Sequence, residues 1–359
     1  VQKWGNNMYF EIAKQKFEKL KDKKDIIVLS VESSCDETSI AVVKNGREVL
    51  SNVVASQIEI HRLYGGVVPE IASRNHILAV SNVYKQALVD ANISEKDIDA
   101  IAVTYGAGLV GALMVGVNFA KTLAFSLQLP LIAVSHIKGH IAANYITEKT
   151  LEPPFICLMV SGGHTALLNI VDYTHHELIG TTVDDAAGEA FDKVARVLGL
   201  CYPGGPEVDK HAKNGENNIK FTHDIMADSL NFSFSGIKTA VINYVHNLKQ
   251  KNPNEKLPID DICASFQTAV VKELATKAIK ACKEKGLKKL VVAGGVSANS
   301  FLRETLAAEC KKNQINVFFP SLKYCTDNGA MIGSAGYFMI RAGEGLSDLS
   351  LTARPTIAL

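Results

Sequence analysis

A two-lobed α/β fold built on an internal duplication is what this sequence predicts, and three observations predict it. The chain has 359 residues, too many for one ordinary core at roughly 150 residues per domain. Short apolar runs of strand length alternate with longer apolar segments and glycine-bearing turns, which is the grammar of strand–helix units. The order of these units occurs twice, over about 26–150 and again over about 151–345, the mark of a repeated architecture.

Residues 1–25 read as a charged N-terminal extension. Lysines stand at 3, 14, 16, 19, 21, 23 and 24 with few core-forming positions, so a solvated helix outside the fold is expected. The first lobe, 26–150, opens with a strand at 26–29. A polar stretch at 32–38, a strand at 39–43, a turn at Lys44-Asn45-Gly46 and a strand at 48–54 follow. Asn-Gly is a strong hairpin signal. The second lobe repeats this with strands at 155–160, 165–171 and 177–183, the first two joined by Ser161-Gly162-Gly163-His164. A strand at 101–104 entering Gly106-Ala107-Gly108 matches one at 290–293 entering Gly294-Gly295. A strand-to-helix unit at 131–135 matches one at 317–321. Each lobe is then three antiparallel strands followed by parallel strand–helix units. Ligands in such sheets bind beyond the carboxyl ends of the strands. A helical insertion at about 191–285, broken at Pro203-Gly204-Gly205-Pro206, and a C-terminal tail at 346–359 complete the layout.

Composition narrows the class. With 47% hydrophobic and 21% charged residues, the chain is neither disordered nor a coiled coil. Lys plus Arg is 38 and Asp plus Glu is 37, a net charge of +1. No bulk field advertises nucleic acid or membrane, so any nucleic-acid contact comes from a local patch or a partner. The apolar run at 107–117 is too short to span a bilayer, and the charged N-terminus lacks a signal-peptide core. Cysteines 35, 157, 201, 263, 282, 310 and 325 contain no C-x-x-C pair. They read as reduced thiols rather than as a disulfide frame or zinc knuckle. A soluble cytoplasmic protein without a membrane partner is expected.

Three constellations carry chemistry. His136 and His140 are spaced i, i+4 at the start of a helix, which puts both imidazoles on one face. By spacing alone they are equally a metal grip or two surface histidines. The repeat favours the grip, because Asp327 sits at nearly the same offset in the second half. Two imidazoles and a carboxylate suit Zn²⁺ or Fe²⁺ with positions left open. Ile137 stands where a zinc protease needs a Glu base, so proteolysis loses its base. The turn at 161–165 and its counterpart at 33–38 are candidate phosphate-facing turns, one per lobe. Asp36 and Glu37 add carboxylates that serve as metal ligand, base or turn cap; these remain open. Gly294 to Asn299 ends a strand and opens a helix. It is either a purine rest with an anion site at the helix start or a plain helix cap at Ser297 or Asn299. On the purine reading, Gly294→Val blocks the ring while stability is nearly kept. Asp185, Glu189 and Asp192 lie along one helix, with Asp185 and Glu189 read as a solvated acidic face.

Eight segments, in order, resemble the TsaD/Gcp family. They are 31–39 (Val-Glu-Ser-Ser-Cys-Asp-Glu-Thr-Ser), 61–76, 136–140, 160–165, 184–193, 202–206, 294–299 and 326–331. The resemblance covers about 26–345. Family members begin near Ile26, which makes Met8 or a later codon the expected start. The resemblance implies an actin/hexokinase/Hsp70-like (ASKHA) fold. It implies tRNA N6-adenosine threonylcarbamoyltransferase activity, from threonylcarbamoyl-adenylate to the adenosine 3′ of the anticodon (position 37) in tRNAs reading ANN codons. It implies His136, His140 and Asp327 as ligands of one Fe²⁺ or Zn²⁺. It implies Met159, Val160, Ser161, Gly162, Gly163, Asp192, Gly205, Asp209 and Asn299 as the adenylate site. TsaB-like and TsaE-like subunits and tRNA are the implied partners. Asp36 or Glu37 is the candidate catalytic base. Two other readings compete. A small-molecule kinase of the same fold needs a catalytic Asp with carboxylate-held Mg²⁺, which a His–His–Asp site fits poorly. A dead assembly subunit would not need these motifs intact.

Overall fold

After helix α1 (Gln2–Leu20), strands β1 (Ile27–Glu32), β2 (Glu37–Lys44) and β3 (Glu48–Ser56) form an antiparallel meander. The computed structural model describes residues 2–221, 229–251 and 253–357. The β2–β3 turn places Asn45 and Gly46 at φ 53° and 67°, the left-handed pair that a tight hairpin requires. Two helices follow, α2 (Ile58–Arg62) and α3 (Pro69–Ala91). Then β4 (Ala100–Gly106) pairs parallel with β1, and α4 (Val110–Leu127) leads to β5 (Leu131–Ser135), parallel to β4. Helix α5 (His136–Thr147) ends the first repeat.

The second repeat runs β6 (Phe155–Val160), β7 (Thr165–Ile170) and β8 (His176–Thr181) as a meander. The insertion supplies α6 (Ala187–Val197), α7 (Gly204–Ala212), α8 (Ser235–Lys251) and α9 (Ile259–Glu284). Residues 222–228 and 252 of that insertion lie outside the described residues. Then come β9 (Lys289–Ala293), α10 (Ser300–Lys312), β10 (Asn316–Phe318), α11 (Gly329–Ala342) and β11 (Leu346–Ser347). The sheet orders are β11-β5-β4-β1-β2-β3 and β10-β9-β6-β7-β8. Without the added edge strand β11, the two sheets have the same order, so the expected duplication is realised strand for strand.

Packing redraws two expectations. The N-terminal segment is helical, but it is not a solvated extension. Tyr9, Ala13, Phe17 and Leu20 recur on one face and are buried against the first lobe. Tyr9 Oη donates to the Leu129 carbonyl at 2.8 Å. The Arg341 guanidinium donates to the carbonyls of Lys21 and Lys23 at 2.6 and 2.7 Å, which ties down the chain just past the end of α1. A lysine-rich helix has long stems and a narrow apolar stripe, and the stripe decides. Helix α11 belongs by sequence to the second repeat, yet it lies on the first sheet. A Cβ on Gly329 or Gly333 would stand 2.7 Å from Ala41 N or Val43 Cγ2. Glycine there lets the helix axis approach the strands. Residues of β1, α5, β6, β9 and α11 form one apolar cluster between the two sheets. Helix α4 is the one helix among the described residues long and apolar enough to cross a membrane. It buries Ala112, Leu113, Gly116, Val117, Ala120 and Ala124 in the first lobe.

Candidate metal and nucleotide cleft

Strands β1, β4 and β5 end side by side, and their carboxyl ends open on a cleft of about 790 Å³, within the range of small-molecule sites. The first lobe contributes the turn from Ser34 to Glu37 and the start of α5. Because α5 begins at His136, one turn of helix carries both histidines into the cleft. Their rings meet edge-on at 4.5 Å. Asp327, just before α11, faces them. Its Oδ1 lies 3.4 Å from His136 Nε2 and 3.2 Å from His140 Nε2, and the three ligand atoms lie within 4.8 Å of one another. Two ligands of one tetrahedral ion at ordinary zinc or iron distances stand about 3.4 Å apart. The residues present therefore fit a divalent cation.

Charge is concentrated on this wall. Burial opposes a charge on His136, but Asp327 and Glu32 outweigh it and hold its pKa well above the usual histidine range. Burial pushes Asp327 up, and His136 and His140 more than reverse it, to well below the usual carboxylate range. Glu37 goes the other way. Its own burial, with Asp327 and Asp36 nearby, lifts its pKa to about 10. Its Oε1 accepts from Ser56 Oγ at 3.1 Å. A shift in that direction favours the protonated, hydrogen-bond-donating carboxyl while the cluster holds no cation. The neighbouring Cys35 thiol is likewise pushed up by burial and by Asp36.

The second lobe contributes backbone. A Cβ on Gly162, Gly163, Gly205 or Gly295 would meet nothing within 4 Å, so main chain faces open cleft at four places. Ser161, Gly162, Gly163, Asp192, Gly205, Asp209 and Asn299 all line the cleft. Three of their side chains also have internal work. Asp192 accepts the Gly204 amide at 2.8 Å and so ties the start of α7 to α6. Asp209 accepts from Ser300 Oγ at 2.9 Å. Asn299 caps α10 by accepting from Leu302 N at 2.8 Å, while its Nδ2 donates to Gln267 at 2.7 Å.

Several expectations are corrected. Met159 and Val160 do not line the cleft; their side chains are wholly buried in two different apolar clusters. Strand alternation sends them to opposite faces of β6. Gly294 does not simply offer bare backbone to a ring. It has φ +92°, and a Cβ would stand 2.4 Å from the Val160 carbonyl, so Gly294→Val breaks the strand contact before any ligand is met. Asp185 is no solvated acid, since Lys193 and Lys238 reach it at 2.9 and 2.6 Å. Sequence reasoning passed over Tyr202, Lys210 and the C-terminal Pro355, Thr356 and Ile357 as cleft residues. The last three arrive because Arg354 N donates to the Tyr105 carbonyl at 2.7 Å and Gly108 N to the Pro355 carbonyl at 3.1 Å. No local pattern in residues 346–359 signals that contact.

Two lobes whose sheets share one strand order, closing on a cleft between them, define the actin/hexokinase/Hsp70-like class. Solved structures agree on the fold. Full-length HypF, in a phosphate- and nucleotide-bound form, superposes with a TM-score of 0.61 at 16% identity, covering 89% of this chain and 47% of that one. Component A of Acidaminococcus fermentans (R)-2-hydroxyglutaryl-CoA dehydratase gives 0.52 at 14% identity, covering 88% and 98%. Within that class, the chain belongs to the TsaD family: the family described as tRNA N6-adenosine threonylcarbamoyltransferase matches residues 48–334. Relatives of that name from Clostridium perfringens and Clostridium novyi are 57% and 55% identical over 343 and 341 residues. Each match covers 94% of this chain, with 99% and 98% of the relatives' own lengths. The chain is a transferase that modifies tRNA.

Proposed function

We propose that the chain moves a threonylcarbamoyl group from threonylcarbamoyl-adenylate to N6 of the adenosine at position 37, 3′ of the anticodon, in tRNAs reading ANN codons. The observation that carries this reading is the juxtaposition across one cleft: His136, His140 and Asp327 on one side and the glycine turns at 162–163, 205 and 295 on the other. In the transfer, adenine N6 forms a bond to the carbamoyl carbon, the bond from that carbon to the phosphate oxygen breaks, and AMP departs with the electron pair. The N6 proton goes to a base.

On this reading His136, His140 and Asp327 hold one Fe²⁺ or Zn²⁺, which when bound supplies a Lewis acid to an oxygen of the donor. The other work belongs to the chain itself. The open amides of the second lobe receive the adenylate, and the helix starts behind them favour its phosphate. In the metal-free cleft, burial beside Asp327 and Asp36 lifts the Glu37 pKa, which makes Glu37 the weaker of the two candidate bases. Asp36 is then the candidate base. The cleft orients an already activated donor and excludes water.

TsaB-like and TsaE-like subunits and tRNA complete the proposal, with the cytoplasm as the place of work. Support for a partner on the first lobe comes from an apolar face. Ile77, Leu78, Val110 and Met114 are 62%, 75%, 50% and 51% exposed. They flank the seam where α3 meets α4, Ser73 against Gly111 and Tyr84 against Phe119. An exposed apolar patch of this kind marks an interaction surface. The test is nucleoside mass spectrometry of unmodified tRNA incubated with the chain, both partners, ATP and threonylcarbamoyl-adenylate. Threonylcarbamoylated adenosine at position 37 is expected. Modified nucleoside that does not depend on the chain would overturn the reading.

A further inference from the structure

Glu32 is the last residue of β1 and is wholly buried. A carboxylate in such a place is costly unless each oxygen is paired, and here each is. Oε1 accepts from the Ser34 amide at 2.5 Å. Oε2 accepts from Thr104 Oγ1 at 2.6 Å and faces His136 Nδ1 at 3.2 Å. Ser34 Oγ stands 3.1 Å from the same ring nitrogen. The register explains the convergence: β1 and β4 run parallel with Val31 beside Val103, so Glu32 and Thr104 end up together at the strand ends. The other histidine of the cluster has no such anchor. His140 Nδ1 is buried without a hydrogen-bond partner among the described residues.

We propose that Glu32 is a positioning residue for the metal cluster: it fixes the proton of His136 on Nδ1 and turns the Nε2 lone pair toward Asp327 and His140. This rests on the metal reading of those three residues. A carboxylate behind a metal-binding imidazole sets its tautomer, fixes its ring plane and strengthens it as a donor. Thr104 and the Ser34 amide hold the carboxylate in turn, so the orientation passes from the β1–β4 pair to the cleft. The alternative is that Glu32 merely stitches β1, β4 and α5 together. The two differ in what the protein loses when the charge is removed without changing the shape.

The test is titration of the full-length metal-free protein with Co²⁺, read by its visible ligand-field bands and by competition for affinity, with melting temperature as the fold control. Wild type should bind one Co²⁺ and His140→Ala should not. Glu32→Gln should bind about 10–100-fold more weakly, with a shifted ligand-field spectrum and an unfolding transition that remains cooperative. Wild-type affinity and spectrum in Glu32→Gln would overturn the proposal and leave the metal reading standing. Absence of Co²⁺ binding by wild type would overturn both. If Glu32→Gln does not fold, Thr104→Val takes its place, since Thr104 touches the carboxylate and not the histidines. A three- to tenfold loss of affinity is then expected, and an unchanged affinity would overturn the proposal.

Discussion

The two walls of the cleft come from the same repeat and do opposite things. The turn between β1 and β2 and the turn between β6 and β7 occupy the same place in sheets of the same order. The first carries Cys35, Asp36 and Glu37 beside two histidines and Asp327, all crowded enough to drive carboxyl groups in opposite directions. The second carries Gly162 and Gly163 with open space around them. One wall is dense in charge, the other is open backbone. Duplication supplied two equivalent turns, and a two-substrate transfer needs them to differ.

The largest expected effect lies on the charged wall. His140→Ala should cut tRNA modification by about 10³-fold or more, the scale of losing several kcal/mol of Lewis-acid stabilisation. Bound metal should go with it while circular dichroism stays native. Retained activity in metal-free His140→Ala protein would remove the basis for contrasting the walls.

On the glycine wall the contrast sharpens within one lobe. Gly163→Ala has room for its Cβ, so it should melt within a few degrees of wild type and bind an AMP analogue about tenfold more weakly. Gly294→Ala faces the Val160 carbonyl at 2.4 Å with φ +92°. It should lose about 2–4 kcal/mol of stability. Calorimetric titration and thermal melts separate the two, and equal stability of both variants would contradict the geometry.

A third effect is on stability against pH. The folded pKa of Glu37 is raised to about 10 from 4.5. Its contribution is therefore fully present below pH 4.5 and is lost as pH rises toward 10. Glu37→Gln keeps the neutral shape, so metal-free Glu37→Gln should be more stable than wild type at pH 8 by about 1–3 kcal/mol. The two should converge at pH 4. A gain that does not vary with pH would show that Glu37 is not protonated in the fold.

The smallest effect concerns tRNA. Net charge is +1, and Lys210 on the second wall faces the cleft while no lysine or arginine of the first lobe lines it. Filter binding by the isolated chain should be weak. The salt slope should steepen when a TsaB-like partner is added, since more phosphates are then neutralised. Lys210→Ala in that complex should lower the slope by about one. Tight, salt-insensitive binding by the chain alone would contradict this.

Strand positions were legible to within about three residues, β11 in the expected tail excepted, because apolar runs of four to six residues, bounded by glycine and polar turns, have few other uses. The meeting of His136, His140 and Asp327 was legible for a related reason. The i, i+4 histidines share a helix face, and the repeat brought Asp327 to the matching strand end. What stayed hidden depends on contacts far apart in the chain. The apolar stripe of α1 is thin among its lysines, and nothing local says that Arg341 will meet its end. Pro355 to Ile357 reach the cleft through backbone hydrogen bonds, which any residues can make.

By itself the sequence determined the two lobes, their shared strand order and the residue types at the cleft, because periodicity and turn chemistry are local properties. Tertiary structure alone decided which glycine bears a clash and which faces open space, since Gly294 and Gly163 look alike in the chain. It decided that the pKa of Glu37 is pushed up and that of Asp327 down, because a pKa is set by neighbours that are distant in the chain. It also decided that Glu32 stands behind His136, because 104 residues separate the two, and only the parallel pairing of β1 with β4 and of β4 with β5 brings them within a hydrogen bond.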